Sequence, residues 1–250
     1  MNSGENDRLL SNEDEDYKRE IATKAAETLD CEGWNESEIG TGTIGDRAIK
    51  AVQKNQHLIG KFQVSVFSNK VKEDYEEAER ILYDLYHERK EEECFERLCD
   101  MFGRKYDLIA YLYFILDPSR YLPLRPTIFD KIFQRMEIDL QTAGRCSWEN
   151  YQEFLSTIAA VRDVMREFLK TSDVDLLDAH SFLWTINQDV IKQVNEDDDD
   201  QEEETKKKVI EVGAAVVHKY YGTGTISQIT EENIYVQFDI GDRFKFCVNS

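Results

Sequence analysis

Residues 106–133 read YDLIAYLYFILDPSRYLPLRPTIFDKIF, and the way this stretch divides decides the rest of the chain. Tyr106–Leu116 carries a single charge, Asp107, among aromatic and aliphatic residues. A helix that is apolar all round is one buried on every side. Then come Pro118, Pro123 and Pro126, all three prolines of the chain within nine residues. Each lacks an N–H and fixes φ, and each restricts the residue before it, so no helix runs through them. The reading is a buried helix over Tyr106–Leu116, a rigid elbow over Asp117–Pro126, and a further helix over Thr127–Glu137.

Working outward, apolar residues keep a helical period on both sides. Upstream, Tyr75, Ala78, Ile81, Leu82, Leu85 and Tyr86 form one such set, and Phe95, Leu98, Met101 and Phe102 another, separated by the polar HERKEEE. They predict two helices facing one core, the second ended by Gly103. Residues 57–72 leave strand and helix both open, because FQVSVF alternates while LIGKF and the later charges suit a helix. Ile21, Ala22, Ala25, Ala26 and Leu29 predict an amphipathic helix over Tyr17–Leu29. Between these lies Gly40-Thr41-Gly42-Thr43-Ile44-Gly45, formally a GxGxxG. A dinucleotide fingerprint needs a buried strand before its first glycine, and NESEI does not provide one. The expectation is a loop leading into a helix capped by Asp46. Downstream, Ser147 is placed to cap a long helix, with Glu149 in its first turn. Trp148, Tyr151, Phe154, Leu155, Ile158, Val161, Met165, Phe168 and Leu169 then make an apolar stripe of six turns. A last helix is expected from Val174 to about Val194.

The 250-residue chain is 41% apolar and 33% charged, with a formal net charge of −20. That field opposes binding to a phosphate backbone, which needs clustered Lys and Arg. Much of the acidity sits at the flanks: residues 196–204 (EDDDDQEEE) carry eight acids, and residues 1–20 seven acids against three bases. Cys31, Cys94, Cys99, Cys146 and Cys247 include no CxxC pair and read as reduced thiols. No apolar run approaches the ~18 residues of a membrane span, and residues 1–10 have no signal-peptide core, so a soluble cytoplasmic protein is expected. Residues 1–16 read as a disordered acidic tail, 17–195 as a helical domain and 196–208 as a charged flexible linker. From 209 to 250 the period changes to short alternating runs broken by glycines and polar turns, predicting strands near 214–218, 224–230, 233–239 and 243–248. The fold class expected from the pattern is α+β, a mainly α-helical domain followed by a small β-barrel, which the resemblance below makes SH3-like.

Two resemblances bear on this. Val212-Gly213, Val216-Val217-His218-Lys219, Tyr221-Gly222-Thr223-Gly224-Thr225-Ile226 and Ile234-Tyr235-Val236-Gln237-Phe238 resemble the SH3-like (Tudor/KOW-type) barrels, in particular the C-terminal barrel of UvrD/PcrA-type repair helicases. In that group the barrel docks on RNA polymerase or nucleic acid, with Gly222 and Gly224 permitting a tight turn. The helical region, through Asp117-Pro118, Tyr121-Leu122-Pro123, Arg125-Pro126, Phe129-Asp130, Trp148-Glu149-Asn150-Tyr151 and Asp178-Ala179-His180-Ser181-Phe182-Leu183-Trp184, resembles modules attached to prokaryotic restriction and phage-defence proteins. This resemblance transfers no active-site residue.

No reacting constellation stands out. Asp178, His180 and Ser181 lie too close along one helix to form a catalytic triad, and His180 reads as a hydrogen-bonded structural histidine. There is no HExxH, no Cys/His cluster and no P-loop. The expectation is accordingly a non-enzymatic adaptor or recognition protein in a DNA-linked process such as phage defence, repair or transcription, needing no cofactor or metal. The resemblance makes a protein partner (a helicase, nuclease or RNA polymerase) or nucleic acid the candidate ligand of Lys219, Tyr220, Tyr221, Arg243 and Lys245. Arg120 and Arg125 are candidates for a phosphate clamp, or for bracing the elbow by pairing with Asp117 and Asp130. The rival expectations are a subunit of a DNA-processing, restriction-type enzyme and an acidic inhibitor that mimics DNA.

Overall fold

The computed structural model describes residues 17–53, 58–188, 191, 212–213, 215–218, 222–230, 233–238 and 243–247. The chain divides into two units, Met1–Val194 and Asn195–Ser250. In the first, the described helices are α1 (Tyr17–Leu29), α2 (Thr43–Gln53), α3 (Lys61–Glu73), α4 (Tyr75–Tyr86), α5 (Glu91–Phe102), α6 (Tyr106–Leu116), α7 (Pro126–Arg135), α8 (Trp148–Leu169) and α9 (Leu176–Ile186).

Helix α6 is the axis of this unit. Tyr106 and every residue from Leu108 to Ile115 are buried. A helix so enclosed must still satisfy the polar atoms of its tyrosines and of the elbow beyond it. Tyr151 does much of this: its hydroxyl donates to the Leu122 carbonyl (2.7 Å) and accepts from the Leu122 N–H (3.2 Å). One side chain on α8 thus replaces the secondary structure that the prolines deny to the elbow. Pro126 then opens α7 at its first position, where the missing N–H costs nothing. Phe95, Tyr106, Tyr113, Tyr121, Trp148 and Tyr151 form one connected set of rings, with neighbouring centroids 5.2–6.4 Å apart, joining α5, α6, the elbow and α8.

The open stretch at 57–72 is helical from Lys61. Val64, Phe67, Ser68 and Val71 bury the i, i+3, i+4, i+7 face, so helical packing overrides the alternation of FQVSVF. Helix α7 ends at Arg135, short of the expected Glu137, because Glu137 turns left-handed (φ 57°) and Ile138 N–H closes back on the Phe133 carbonyl at 2.9 Å. Helix α9 is capped at Asn187, described residues 188 and 191 beyond it are again helical, and most of the expected stretch toward Val194 lies outside the described residues. Among the described residues, no helix is long and apolar enough to cross a membrane.

The second unit holds β1 (Ala215–His218), β2 (Gly222–Ile229), β3 (Asn233–Phe238) and β4 (Arg243–Cys247). They form one antiparallel sheet in the order β1-β2-β3-β4. The paired residues Ile226 and Val236 are buried side chains of this sheet. The expected SH3-like barrel is not what forms. The sheet is an open meander, with β1 and β4 at opposite edges and no pairing between them among the described residues. Gly222 and Gly224, expected in a tight turn, lie inside β2 opposite His218 and Val216. Alternation and glycine punctuation specify strands and hairpins, which a meander and a barrel have in common. Closure depends on the strand coiling that brings the edges together, and short-range pattern does not encode it.

Candidate protein-docking groove

Helix α8 begins where the sequence places it: Ser147 Oγ accepts from Asn150 N–H at 3.2 Å. Its apolar stripe does two jobs. Tyr151, Phe154, Leu155, Ile158 and Met165 are buried against the rest of the unit, whereas Val164 and Phe168 are 66% and 81% exposed. Here Thr157, Ala160, Val161, Val164 and Phe168 form one wall of a groove of about 650 Å³. Met136 and Ile138, from the connection after α7, and Phe182 of α9 form the other. Apart from the Thr157 hydroxyl the lining is apolar, so the groove offers shape and hydrophobic surface but no acid, base or nucleophile.

Both walls are fixed by hydrogen bonds. The Asp130 carboxylate accepts from Thr142 N–H (2.7 Å), Thr142 Oγ1 (2.7 Å) and Ala143 N–H (3.0 Å), holding the connection after α7. Asn150 Nδ2 donates to the Gln141 carbonyl (3.0 Å), and its Oδ1 accepts from the Tyr106 hydroxyl (3.0 Å). At the far end Arg166 Nε donates to the Val174 carbonyl (2.8 Å). Helix α9 then opens with a capping box, Asp175 N–H to Asp178 Oδ2 and Asp178 N–H to Asp175 Oδ1. Arg19 of α1 reaches both carboxylates at 2.5–3.1 Å.

The rim is acidic. On α8, Glu153, Ala160 and Glu167 recur at a spacing of seven, so the two acids flank the groove-lining Ala160 along one edge. On the other wall Glu137 and Asp139 are exposed beside Met136 and Ile138, with Arg135 one residue before. The α8 bases lie elsewhere on the helix: Arg162 pairs with Asp163 (2.8 Å), and Arg166 is turned to Val174.

The residues expected to bind fall elsewhere. Lys219, Tyr220 and Tyr221 lie outside the described residues. Arg243 and Lys245 sit on β4, paired in register with Gln237 and Tyr235. Arg120 makes a bidentate pair with Glu91 (2.8 Å to each oxygen) and stacks on Tyr121 (4.9 Å), so Glu91, not Asp117, is its acid. Asp130 is engaged by Thr142 and Ala143, and Arg125 is exposed at the start of α7. Of the two arginines, Arg120 is engaged by Glu91.

The remaining polar features are internal. The GxGxxG loop does bind a carboxylate, that of the fully buried Glu79: Gly40 and Gly42 N–H donate to Oε2 (2.7 and 3.2 Å) and Gly45 N–H to Oε1 (2.7 Å). His180 is buried and takes a hydrogen bond at Nδ1 from Lys18 Nζ (3.4 Å), while Nε2 donates to the Pro123 carbonyl (3.0 Å). Beside it is a cavity of about 30 Å³, room for one water. Among the described residues there is no group of three or more His, Cys, Asp or Glu that could hold a metal ion.

The sequence placed Val161, Met165, Phe168 and Leu169 in the α8 stripe but did not mark them as a groove. Thr157, Ala160, Val164 and Ile138 carried no signal alone, but Val161, Val164 and Phe168 make a second apolar line beside Ile158 and Met165. Together the two lines are wider than one buried face needs. The comparisons add no relative, and with them both resemblances fall: no protein-family model, no curated protein and no solved structure matches this chain.

Proposed function

We propose that this chain is a non-enzymatic recognition protein, an adaptor that docks an amphipathic, basic helix of a partner protein in the groove between α8, α9 and the α7–α8 connection. The observation that carries this reading is the pairing of a fixed apolar groove with an acidic rim. A helix laid in such a groove buries side chains at i, i+3/i+4 and i+7, and a volume of about 650 Å³ suits several large apolar side chains. Glu137, Asp139, Glu153 and Glu167 then favour Lys and Arg on its flanks, within a chain of net charge −20. Rim charges of this kind select partners and raise association rates more than they add affinity. Acidic nucleic acid is disfavoured at such a site for the same electrostatic reason.

The test uses two synthetic helices of about five turns, each with a leucine stripe, one carrying lysine and the other glutamate on its polar face. The intact chain is expected to bind the lysine helix and not the glutamate helix. Replacing Val164→Asp with Phe168→Asp makes the protein more acidic, so binding driven by net charge alone would strengthen. Docking in the groove predicts instead a loss of at least about tenfold. If the doubly substituted chain binds the lysine helix as well as the parent does, the groove is not a docking site. Equal binding of both helices would leave the groove but remove the basic partner.

A further inference from the structure

Cys99 and Cys146 are 47 positions apart in sequence, and their sulfurs are 3.5 Å apart. Cys99 lies in the last turn of α5, and Cys146 immediately precedes the Ser147 cap of α8. Both are buried, at 1% and 6% exposure, and both are free thiols. Cys99 Sγ also lies 3.9 Å from the Cys146 carbonyl, to which Arg104 Nη1 donates at 2.7 Å. A guanidinium is thereby fixed beside the sulfur pair. The two thiols are unequal. The contact with Cys146, aided by Arg104, holds Cys99 below the usual thiol range against the effect of burial. The same contact and burial push Cys146 up. Cys94, on the same helix, faces the Ile81 carbonyl at 3.7 Å, and burial pushes its thiol up to about 12.

We propose that Cys99 and Cys146 form a reversible thiol–disulfide site whose oxidant is hydrogen peroxide. Thiolates, not thiols, are the nucleophiles in this chemistry. Cys99 attacks one peroxide oxygen, the O–O bond breaks, and the departing oxygen leaves as water after taking a proton, so that Cys99 becomes a sulfenic acid. Cys146 attacks the Cys99 sulfur and its thiol proton leaves with the displaced hydroxyl as a second water. Two thiols are oxidised by two electrons and one peroxide is reduced. Burial admits a small oxidant in preference to a bulky disulfide, and the neighbouring thiol intercepts the sulfenic acid before it oxidises further. The bond joins the end of α5 to the start of α8 and closes a loop of 47 positions, so it removes freedom from the unfolded chain.

The experiment treats the intact chain with hydrogen peroxide, blocks remaining thiols after denaturation and maps the peptides by mass spectrometry. The expected product joins the Cys99 and Cys146 peptides with loss of two hydrogens, reverts with dithiothreitol, and raises the thermal midpoint by roughly 5–10 °C. In Cys146→Ser, dimedone is expected to trap a sulfenic acid on Cys99, a readout that does not depend on stability. Recovery of both cysteines as free thiols after peroxide treatment of the folded chain would overturn the proposal. So would cross-links of either one to Cys31, Cys94 or Cys247 in their place.

Discussion

Glu79 condenses into one residue how far a motif can mislead. The GTGTIG loop presents three N–H groups to an anion, as a phosphate-binding loop does, yet the anion is this chain's own carboxylate, sealed from water. Gly45 has a second reason to be glycine, since a Cβ there would lie 2.8 Å from Val71 Cγ1. Removing the carboxylate strands buried donors at the start of α2, each costing its desolvation. Glu79→Ala is therefore expected to lose about 4 kcal/mol in urea unfolding, with added formate restoring part of it. An alanine variant as stable as the parent would show that the N–H groups find other partners. Neither role could be read from the sequence, because Gly40 and Glu79 meet only after α3 and α4 have folded back.

At the scale of elements, the decisive junction is where α1, the proline elbow and α9 meet on His180. Lys18 comes from α1, the accepting carbonyl from Pro123, and the imidazole from α9. Burial first, and then the Lys18 charge, hold the His180 pKa well below the usual value, opposed by the hydrogen bond to Pro123. The ring is thus neutral in the fold, while in the unfolded chain it protonates near pH 6.5. Below that pH the unfolded state binds a proton that the folded state does not. Stability is consequently full above about 6.5 and falls as the pH drops toward the folded pKa, by at most about 1.4 kcal/mol per pH unit. Urea midpoints measured between pH 7 and 5 should show this slope in the parent and a shallower one in His180→Gln. Equal slopes would mean that another group titrates. The sequence identified a structural histidine correctly, but its lysine neighbour, 162 positions away, was beyond reach.

At the scale of the whole molecule, the chain divides into two units. The helical core draws its buried residues from positions 22–191, and the described buried side chains of the sheet, Ile226 and Val236, are not among them. A chain ending at Val194 is expected to keep its helical circular dichroism and to melt within about 2 °C of the parent, a shift worth under ~1 kcal/mol for a domain this size. Loss of cooperative melting on truncation would show that the helical core needs the sheet unit.

The sequence by itself determined most of the helices and strands, 57–72 excepted, because hydrophobic period, prolines and caps are local: Tyr106–Leu116, Tyr17–Leu29 and the Ser147 cap all fall where the pattern puts them. Only the tertiary structure decided which apolar residues are spent inside. It left Val164 and Phe168 outside as a groove, brought Cys99 to Cys146, and kept the sheet an open meander. The physical reason is that period reports which side chains share a face, whereas burial depends on what the rest of the chain lays against that face.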